Sequence, residues 1–235
     1  MSDRGESMDH LAENPARAGL PARLMNYALI HDAMDRDSRR LPTAVVGLRT
    51  RGDAVALTRW LGRFEASVVH HHEREDDVIF PALRVRDASI DTSGMGSEHH
   101  ELDAAMHELS DSLAELVAAD APSPFDGEIL ERPSAAAAAL AGIMRTHLLG
   151  EEELVFPILT ERFSDDEYAD LEKEIEKGSS LSAAAFELPW VLDEANPAFI
   201  THLEGQLPFP FRLANSWFWA RSYRRIAAPL LAVSG

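Results

Sequence analysis

One short pattern occurs twice in the chain and constrains what the chain can fold into. The first copy reads HHEREDDVIFPAL at residues 71–83, and the second reads HLLGEEELVFPIL at residues 147–159. In each copy, three residues separate a histidine from a glutamate, and four residues separate that glutamate from Phe-Pro. Because residues four apart lie on one face of a helix, His71 with Glu75 and His147 with Glu151 each present an imidazole beside a carboxylate. Such a face can bind a metal ion.

Both pairs are predicted to point into a helical core. Apolar residues recur in steps of three and four on the same line as each pair, which is typical of the core-facing stripe of an amphipathic helix. The stripes comprise Leu57, Leu61, Phe64, Val68, Val78 and Ala82 in the first copy and Leu140, Met144, Leu154 and Ile158 in the second. Since an unpartnered buried carboxylate costs several kcal/mol, a bound metal ion would remove that cost.

The composition narrows the chemistry. There are 40 acidic residues against 22 basic ones, and the formal net charge of -18 disfavours nucleic acid or an anionic membrane as partner. The absence of cysteine excludes disulfides, thiolate catalysis and iron–sulfur clusters, so a metal site must use nitrogen and oxygen donors. No stretch approaches the roughly 20 apolar residues of a membrane span, and the polar N-terminus is unlike a signal peptide. We therefore expect a soluble, cytoplasmic protein.

Four long helices and a short fifth one are predicted, at about residues 21–47, 53–86, 97–119, 133–162 and 164–178, with Asp53, Ser97 and Ser164 as N-caps. Short loops join the long helices, which is the pattern of an antiparallel, up-and-down four-helix bundle. We predict an all-α fold with three regions. A flexible lead-in covers residues 1–19, the bundle covers 20–163, and residues 164–235 form the short charged helix and a helical C-terminal extension.

The extension is rich in aromatic residues and proline and contains three of the four tryptophans. Its basic and aromatic ARSYRR segment leaves a membrane-surface role open. The favoured interpretation is that the aromatic side chains pack over one end of the bundle, or against a second copy of the chain in a homodimer.

Each long helix supplies one histidine at a position that otherwise carries apolar residues. These histidines are His31, His71, His99 and His147. On the third helix, His100 is the alternative inward residue, and Asp103 lies four residues after His99. Because successive helical residues are ~100° apart, only one of His70, His71 and His72 is expected on the stripe, and the spacing selects His71. A single such histidine is typical of a hydrogen-bonded core residue, but four on four helices favour metal binding.

These four histidines with Glu75 and Glu151 are too many donors for one tetrahedral zinc ion and suit two metal ions bridged by the glutamates. Mixed imidazole and carboxylate donors favour iron, with manganese or zinc as alternatives. No histidine has an acidic residue three positions before it, so the Glu-x-x-His pairs of ferritin-like bundles are absent. The HExxH and GxSxG motifs of zinc proteases and serine hydrolases are absent as well.

The segments around these residues, IHDAMDRD, SEHHEL and the two copies of the repeated pattern, resemble the hemerythrin-like, histidine–histidine–glutamate cation-binding domain over about residues 24–162. The tail from about residue 186, with LPW and LPFPFR, resembles the extension of a bacterial subgroup. The resemblance implies two iron ions inside a four-helix bundle, with the four histidines as terminal ligands and the two glutamates as bridges.

Members of this family bind dioxygen, and some are linked to nitric oxide, peroxide handling or iron sensing. The resemblance therefore implies a protein that binds or reduces such small oxidants, with catalase-type turnover in the enzymatic version. The alternative is an iron or redox sensor that signals through a protein partner.

Two positions depart from the oxygen-carrying hemerythrins. Those proteins have a second histidine on the third helix, where this chain has Asp103, and an aspartate five residues after the fourth-helix histidine. Here the fourth-helix spacing is four and the acid is Glu151. These differences predict one fewer histidine and more carboxylate around the metal. Because anionic oxygen donors stabilise ferric iron, we expect a lower reduction potential and poor reversible oxygenation.

Overall fold

The computed structural model describes Leu11 and residues 14–119, 123–177 and 180–232. Within these ranges the chain is helical and has no strand. The bundle consists of α1 (Met25–Val46), α2 (Arg51–Arg74) continued by a π turn (Glu75–Ile79) and α3 (Phe80–Arg86), α4 (Ser93–Ala118) and α5 (Glu131–Arg162). α1 packs against α5, α5 against α4, and α4 against α2. The predicted all-α, antiparallel four-helix bundle is confirmed.

Local hydrogen bonds explain where two of the helices begin. Thr50 caps α2, because its side chain accepts the N–H of Asp53 while the Asp53 carboxylate accepts the N–H of Thr50. Asp53 is therefore the third residue of a capping box and not the cap itself. Ser164 caps the short helix α6 (Asp165–Ile175) in the same way with Glu167, as predicted.

The π turn shifts the core-facing line in the first copy of the repeated pattern. Its i to i+5 hydrogen bond adds one residue to the helical turn. The buried residues after the turn are consequently Ile79 and Leu83, in place of the predicted Val78 and Ala82. π turns are frequent at functional sites, and this one begins at Glu75, one of the predicted metal ligands.

Buried polar side chains lie between two parts of the apolar core. One part includes residues of α2 and α5 that precede the paired histidine and glutamate, such as Phe64 and Met144. The other part includes residues that follow these pairs, such as Phe80 and Phe156. Along both helices the intervening positions carry buried histidine and glutamate. The bundle therefore encloses a polar layer that its own apolar packing does not satisfy.

The extension consists of α7 (Leu181–Leu192), α8 (Pro197–Gln206), α9 (Phe209–Ala214), a second π turn (Asn215–Trp219), α10 (Ala220–Ile226) and α11 (Ala228–Leu231). α7 packs against α1 and α2. Trp190 is buried, and its indole N–H donates to Asp37 at 2.9 Å. The same buried carboxylate accepts hydrogen bonds from Arg36 and Arg40. The first part of the extension thus covers the bundle of its own chain.

The later part of the extension leaves apolar side chains in solvent. Phe209, Trp217 and Phe218 are exposed. In the described parts of the chain, no helix has both the length and the apolar character that crossing a membrane requires.

The predicted flexible lead-in is only partly described, because residues 1–10 and 12–13 lie outside the described residues. Leu11 and Asn14 are buried, and a short 3-10 helix (Pro15–Arg17) packs against α5. The described end of the lead-in is therefore in contact with the bundle.

Candidate metal centre

The inward histidines and glutamates form two adjacent groups in the polar layer. The first group contains His31, His71, Glu75 and Glu151, and the second contains His72, His99 and His147. Within each group, one donor atom from every residue lies within 4.8 Å of the others. The structure thus brings together all six residues that the sequence singled out, and it adds His72.

The spacing in the first group suits a single metal ion. Nε2 of His31 lies 3.1 Å from Nε2 of His71, and Nε2 of His71 lies 2.5 Å from Oε1 of Glu75. Neighbouring donors bound to one ion at ~2.1 Å are themselves about 3 Å apart. Three helical segments therefore supply donors at a distance that one ion can span.

The two carboxylates lie between the groups. Glu75 directs Oε1 towards His71, while its Oε2 lies 3.5 Å from Nε2 of His99. Oε2 of Glu151 lies 3.6 Å from Nε2 of His31 and 3.4 Å from Nε2 of His147. Each carboxylate therefore reaches a histidine of both groups, which is the arrangement that a bridging ligand needs.

Several buried donor atoms in the two groups have no hydrogen-bond partner among the described residues. They are both ring nitrogens of His72, Nε2 of His99 and His147, and Oε2 of Glu75 and Glu151. Leaving a buried polar group unsatisfied costs about 1–3 kcal/mol. Cations with nitrogen and oxygen ligation would satisfy five of these atoms at once, including one ring nitrogen of His72, so these residues fit a pair of metal ions.

Three of the histidines are oriented by carboxylates on their other ring nitrogen. Nδ1 of His31 lies 2.9 Å from a carboxylate oxygen of Glu152. The corresponding distances are 3.1 Å from His99 to Asp76 and 3.0 Å from His147 to Glu98. An Nδ1–H donated to a carboxylate fixes the tautomer and leaves Nε2 free to bind a metal ion.

Glu152 connects His31 to the N-terminal segment. This carboxylate is fully buried, and it accepts hydrogen bonds from Nε and NH2 of Arg17 at 2.8 and 2.5 Å and from Asn14 at 3.1 Å. Arg17 also binds Asp32 at 2.6 Å. The pKa of Glu152 is lowered, since the hydrogen bonds from Arg17 and His31 outweigh the effect of burial. The described end of the lead-in therefore stabilises the carboxylate that orients a candidate ligand.

The buried charges set unequal protonation states within the first group. Burial alone would lower the pKa of His31, but the negative charge of Glu151 and the hydrogen bond with Glu152 raise it to about 10. Burial and the nearby charge of Glu75 raise the pKa of Glu151 well above its ordinary value. Burial alone would raise the pKa of Glu75, but its contacts with His71 and His31 together hold that pKa well below its ordinary value. The group therefore holds a proton on His31 at neutral pH.

Tyr27 lies one turn before His31, and the sequence pattern did not indicate a role for it at the site. Its hydroxyl oxygen is 2.8 Å from Oε1 of Glu75 and 2.6 Å from Oε1 of Glu151. A phenol has a single proton to donate, so the second hydrogen bond requires a proton on a carboxylate, which the raised pKa of Glu151 favours. The only sequence signal was a phenol on a core-facing line.

A cavity of about 170 Å³ leads to this side of the centre. Tyr27, His71 and Glu75 form its inner wall, and Tyr168 and Ile175 of α6 line it from the other side. A small molecule can therefore approach the first group of donors from the face that α6 covers.

The prediction that only one of the three successive histidines lies on the core-facing stripe is wrong, because His72 is buried as well. His72 is only 4% exposed, and its ring stacks on that of His99 with centroids 4.0 Å apart. The core-facing arc of a bundle helix is 100° wide or more, so it admits two successive residues. His71 contributes to one group and His72 to the other, whereas His70 belongs to neither.

The alternatives on the third helix lie outside both groups. His100 is exposed, and its ring contacts the carbonyl of Gly96 at 2.6 Å. Asp103 is half-buried and is not among the clustered donors. His72 adds a fifth histidine to the clustered donors. The deficit of one histidine at the metal and the lower reduction potential stay predictions.

We expect Arg17→Ala to destabilise the protein by about 3 kcal/mol, because it leaves the Glu152 carboxylate buried without its cationic partner. Urea denaturation measures the loss. Arg132→Ala is the matched control: Arg132 pairs with Glu108 and Glu115 on the surface, where ion pairs contribute little. Equal unfolding free energies for the two variants would contradict the role given to Arg17.

One of three comparisons with known proteins agrees with this geometry. A search of curated proteins and a search of solved structures found no match. The family model of the hemerythrin HHE cation binding domain matches residues 26–159. This segment is more than half of the chain and contains every residue of both donor groups. The chain therefore belongs to the hemerythrin HHE cation-binding family.

Proposed function

We propose that the two donor groups hold two iron ions bridged by Glu75 and Glu151, and that this centre binds or reduces a small oxidant such as dioxygen, nitric oxide or hydrogen peroxide. One observation carries the proposal. Five histidines and two glutamates meet in the core, and their unsatisfied donor atoms converge. Membership of a cation-binding family supports metal binding in general, whereas the identity and number of the ions belong to the proposal.

The proposed ligand sets are unequal. His31 and His71 would hold one ion, His72, His99 and His147 would hold the other, and the two carboxylates would serve both. The set with fewer protein ligands lies on the side of the 170 Å³ cavity. An oxidant would therefore enter on the side of His71.

The protein's own residues prepare this position for a proton-dependent reduction. When bound, a pair of ferrous ions supplies two electrons by becoming ferric. The buried wall around Tyr27 excludes bulk water, and the Tyr27 hydroxyl holds a proton at the inner end of the cavity. Glu152 keeps the His31 ring in one orientation. Reduction of one hydrogen peroxide to two waters consumes two electrons and two protons, so a proton donor at this position suits the chemistry.

An iron or redox sensor is the second candidate, and one observation favours it. α1 carries His31 and, less than two turns later, Asp37, which anchors the extension through Trp190. A change at the metal centre can thus reach the extension through a single helix, and a protein partner would read that change. Catalase-type oxygen release by the iron-loaded protein supports the first function. A large loss of helicity on chelation, without turnover, supports the second.

Three further expectations remain proposals. The exposed side chains of Phe209, Trp217 and Phe218 support a homodimer formed through the extension, which sedimentation equilibrium would detect. A cytoplasmic location and the absence of a nucleic-acid partner rest on composition and charge alone.

We expect His72→Ala to lower the iron content from about two to about one ion per chain, because it removes one of three histidines from the second group. Anaerobic iron loading followed by mass-spectrometric metal counting measures the content, and circular dichroism verifies that the bundle is folded. His100→Ala is the control, since this exposed histidine belongs to neither group. Retention of both ions by folded His72→Ala would remove His72 from the ligand set.

We expect metal uptake by the metal-free protein at pH 7 to release about one proton per chain from His31, because metal ligands must be deprotonated. The pKa of His31 is raised to about 10, so apparent metal affinity falls as the pH is lowered. Calorimetry in buffers of different ionisation enthalpy counts the protons. Glu151→Gln should release fewer protons, because removing the charge of Glu151 lowers the pKa of His31, and proton release that does not differ between the two proteins would refute this assignment.

A further inference from the structure

A second cavity lies beside the first, between the bundle and the extension. Its volume is about 280 Å³. Apolar side chains dominate its walls, with Leu29 and Ile30 from α1, Leu188 and Val191 from α7, and Leu203 from α8. We call this space the outer cavity, and we call the 170 Å³ space at the metal centre the inner cavity.

The two cavities adjoin. Both are lined by Asn26, Ile30, His71, Arg74 and Ile175. His71 is a proposed metal ligand, so the outer cavity begins at the first coordination group and ends under the extension. The shared residues place the two spaces side by side next to the first donor group.

The combined space is larger than a small oxidant requires. A water molecule, similar in size to dioxygen or hydrogen peroxide, occupies about 30 Å³, and an apolar cavity of about 150 Å³ accepts benzene. The outer cavity alone exceeds the second value. A ligand with an apolar body attached to its reactive group would bury apolar cavity surface that dioxygen or hydrogen peroxide leaves uncovered. Such burial contributes about 25 cal/mol per Å².

The charged side chains that line the two cavities favour a neutral ligand. Arg74 stands where the cavities meet, and its Nε is buried without a hydrogen-bond partner among the described residues. A second nitrogen of its guanidinium donates to the carbonyl of Lys177. Glu176 and Glu187 also line the outer cavity, and Glu172 lines the inner one. Four carboxylates, with Glu75 of the inner cavity included, against one guanidinium oppose an anionic ligand such as a fatty acid, while the free Nε–H can donate to a neutral oxygen.

We propose that the adjoining cavities bind an organic hydroperoxide, with its apolar body in the outer cavity and its O–O group in the inner cavity beside Tyr27. The proposal rests on the proposed function and narrows its substrate class. Reduction breaks the O–O bond and converts the hydroperoxide, two protons and two electrons into an alcohol and water. The electrons come from the proposed ferrous pair, which becomes ferric.

Binding is tested with 2-phenyl-2-propanol, the alcohol that corresponds to cumene hydroperoxide, on the metal-free full chain by calorimetry. The blocking variant is Ala184→Phe, because Ala184 lines the outer cavity. Ala183→Phe on the same helix is the matched control, since Ala183 lines neither cavity. We expect the alcohol to bind to the wild type and the control, and the blocking variant to weaken binding about tenfold or more.

Reactivity is tested with the iron-loaded proteins. The measured quantity is the single-turnover oxidation rate with cumene hydroperoxide divided by the rate with hydrogen peroxide. This ratio should fall about tenfold or more in Ala184→Phe and stay at the wild-type value in Ala183→Phe.

Absence of alcohol binding to the wild type, or equal losses in both variants, would overturn the proposal. If iron binds and hydrogen peroxide reacts while the alcohol does not bind, only the substrate class fails. If the chain takes up no iron, the proposed function fails, and alcohol binding to the metal-free chain still decides whether the cavity accepts an apolar ligand.

Discussion

The structure depends on the burial of seven histidine and glutamate side chains within an apolar bundle. Five histidines and two glutamates lie in one layer of the core, where like charges and unsatisfied polar groups are expensive. Without metal, the layer relies on a proton held by His31 and on the Tyr27 hydroxyl between two carboxylates. Six buried atoms of the layer still have no hydrogen-bond partner among the described residues. Such an arrangement gains most from bound cations, because metal binding free energy adds directly to folding free energy.

The rest of the fold holds this layer in place. Carboxylates of Glu152, Asp76 and Glu98 orient three of the histidines. Two of them, Asp76 and Glu98, are substantially exposed, whereas Glu152 is fully buried and therefore needs its own cationic partner. Arg17 is that partner, which explains why a segment outside the bundle packs tightly against α5. The N-terminal segment therefore helps to hold one candidate ligand, His31, in its orientation through Glu152.

Much of this centre was predictable because the helical repeat is local. The i, i+4 spacing placed His71 beside Glu75 and His147 beside Glu151, and the apolar stripes placed both pairs in the core. The sequence did not predict His72, because a single narrow stripe allows one inward residue per turn whereas two adjacent metal groups need two. The π turn moved the buried line after Glu75 by one residue. The contacts of Arg17 with Glu152 and of Trp190 with Asp37 join residues more than a hundred positions apart, and no local pattern encodes them.

α1 connects the candidate metal centre to the C-terminal extension. Its first turns carry Tyr27 and His31 at the centre, and Asp37 farther along binds the Trp190 indole of the extension. Ile30, next to His31, faces both cavities. The outer cavity needs walls from α7 and α8 in addition to α1, so a bundle without the extension would present Leu29 and Ile30 to solvent instead of enclosing a space. The extension therefore shapes the space beside the candidate metal centre, and its described residues contribute none to either donor group. The repeated pattern supplies five of the seven clustered histidines and glutamates, whereas the docking of the extension on α1 encloses the apolar space beside them. Under the two proposals, the first set of residues holds the metal ions and the second feature selects the ligand.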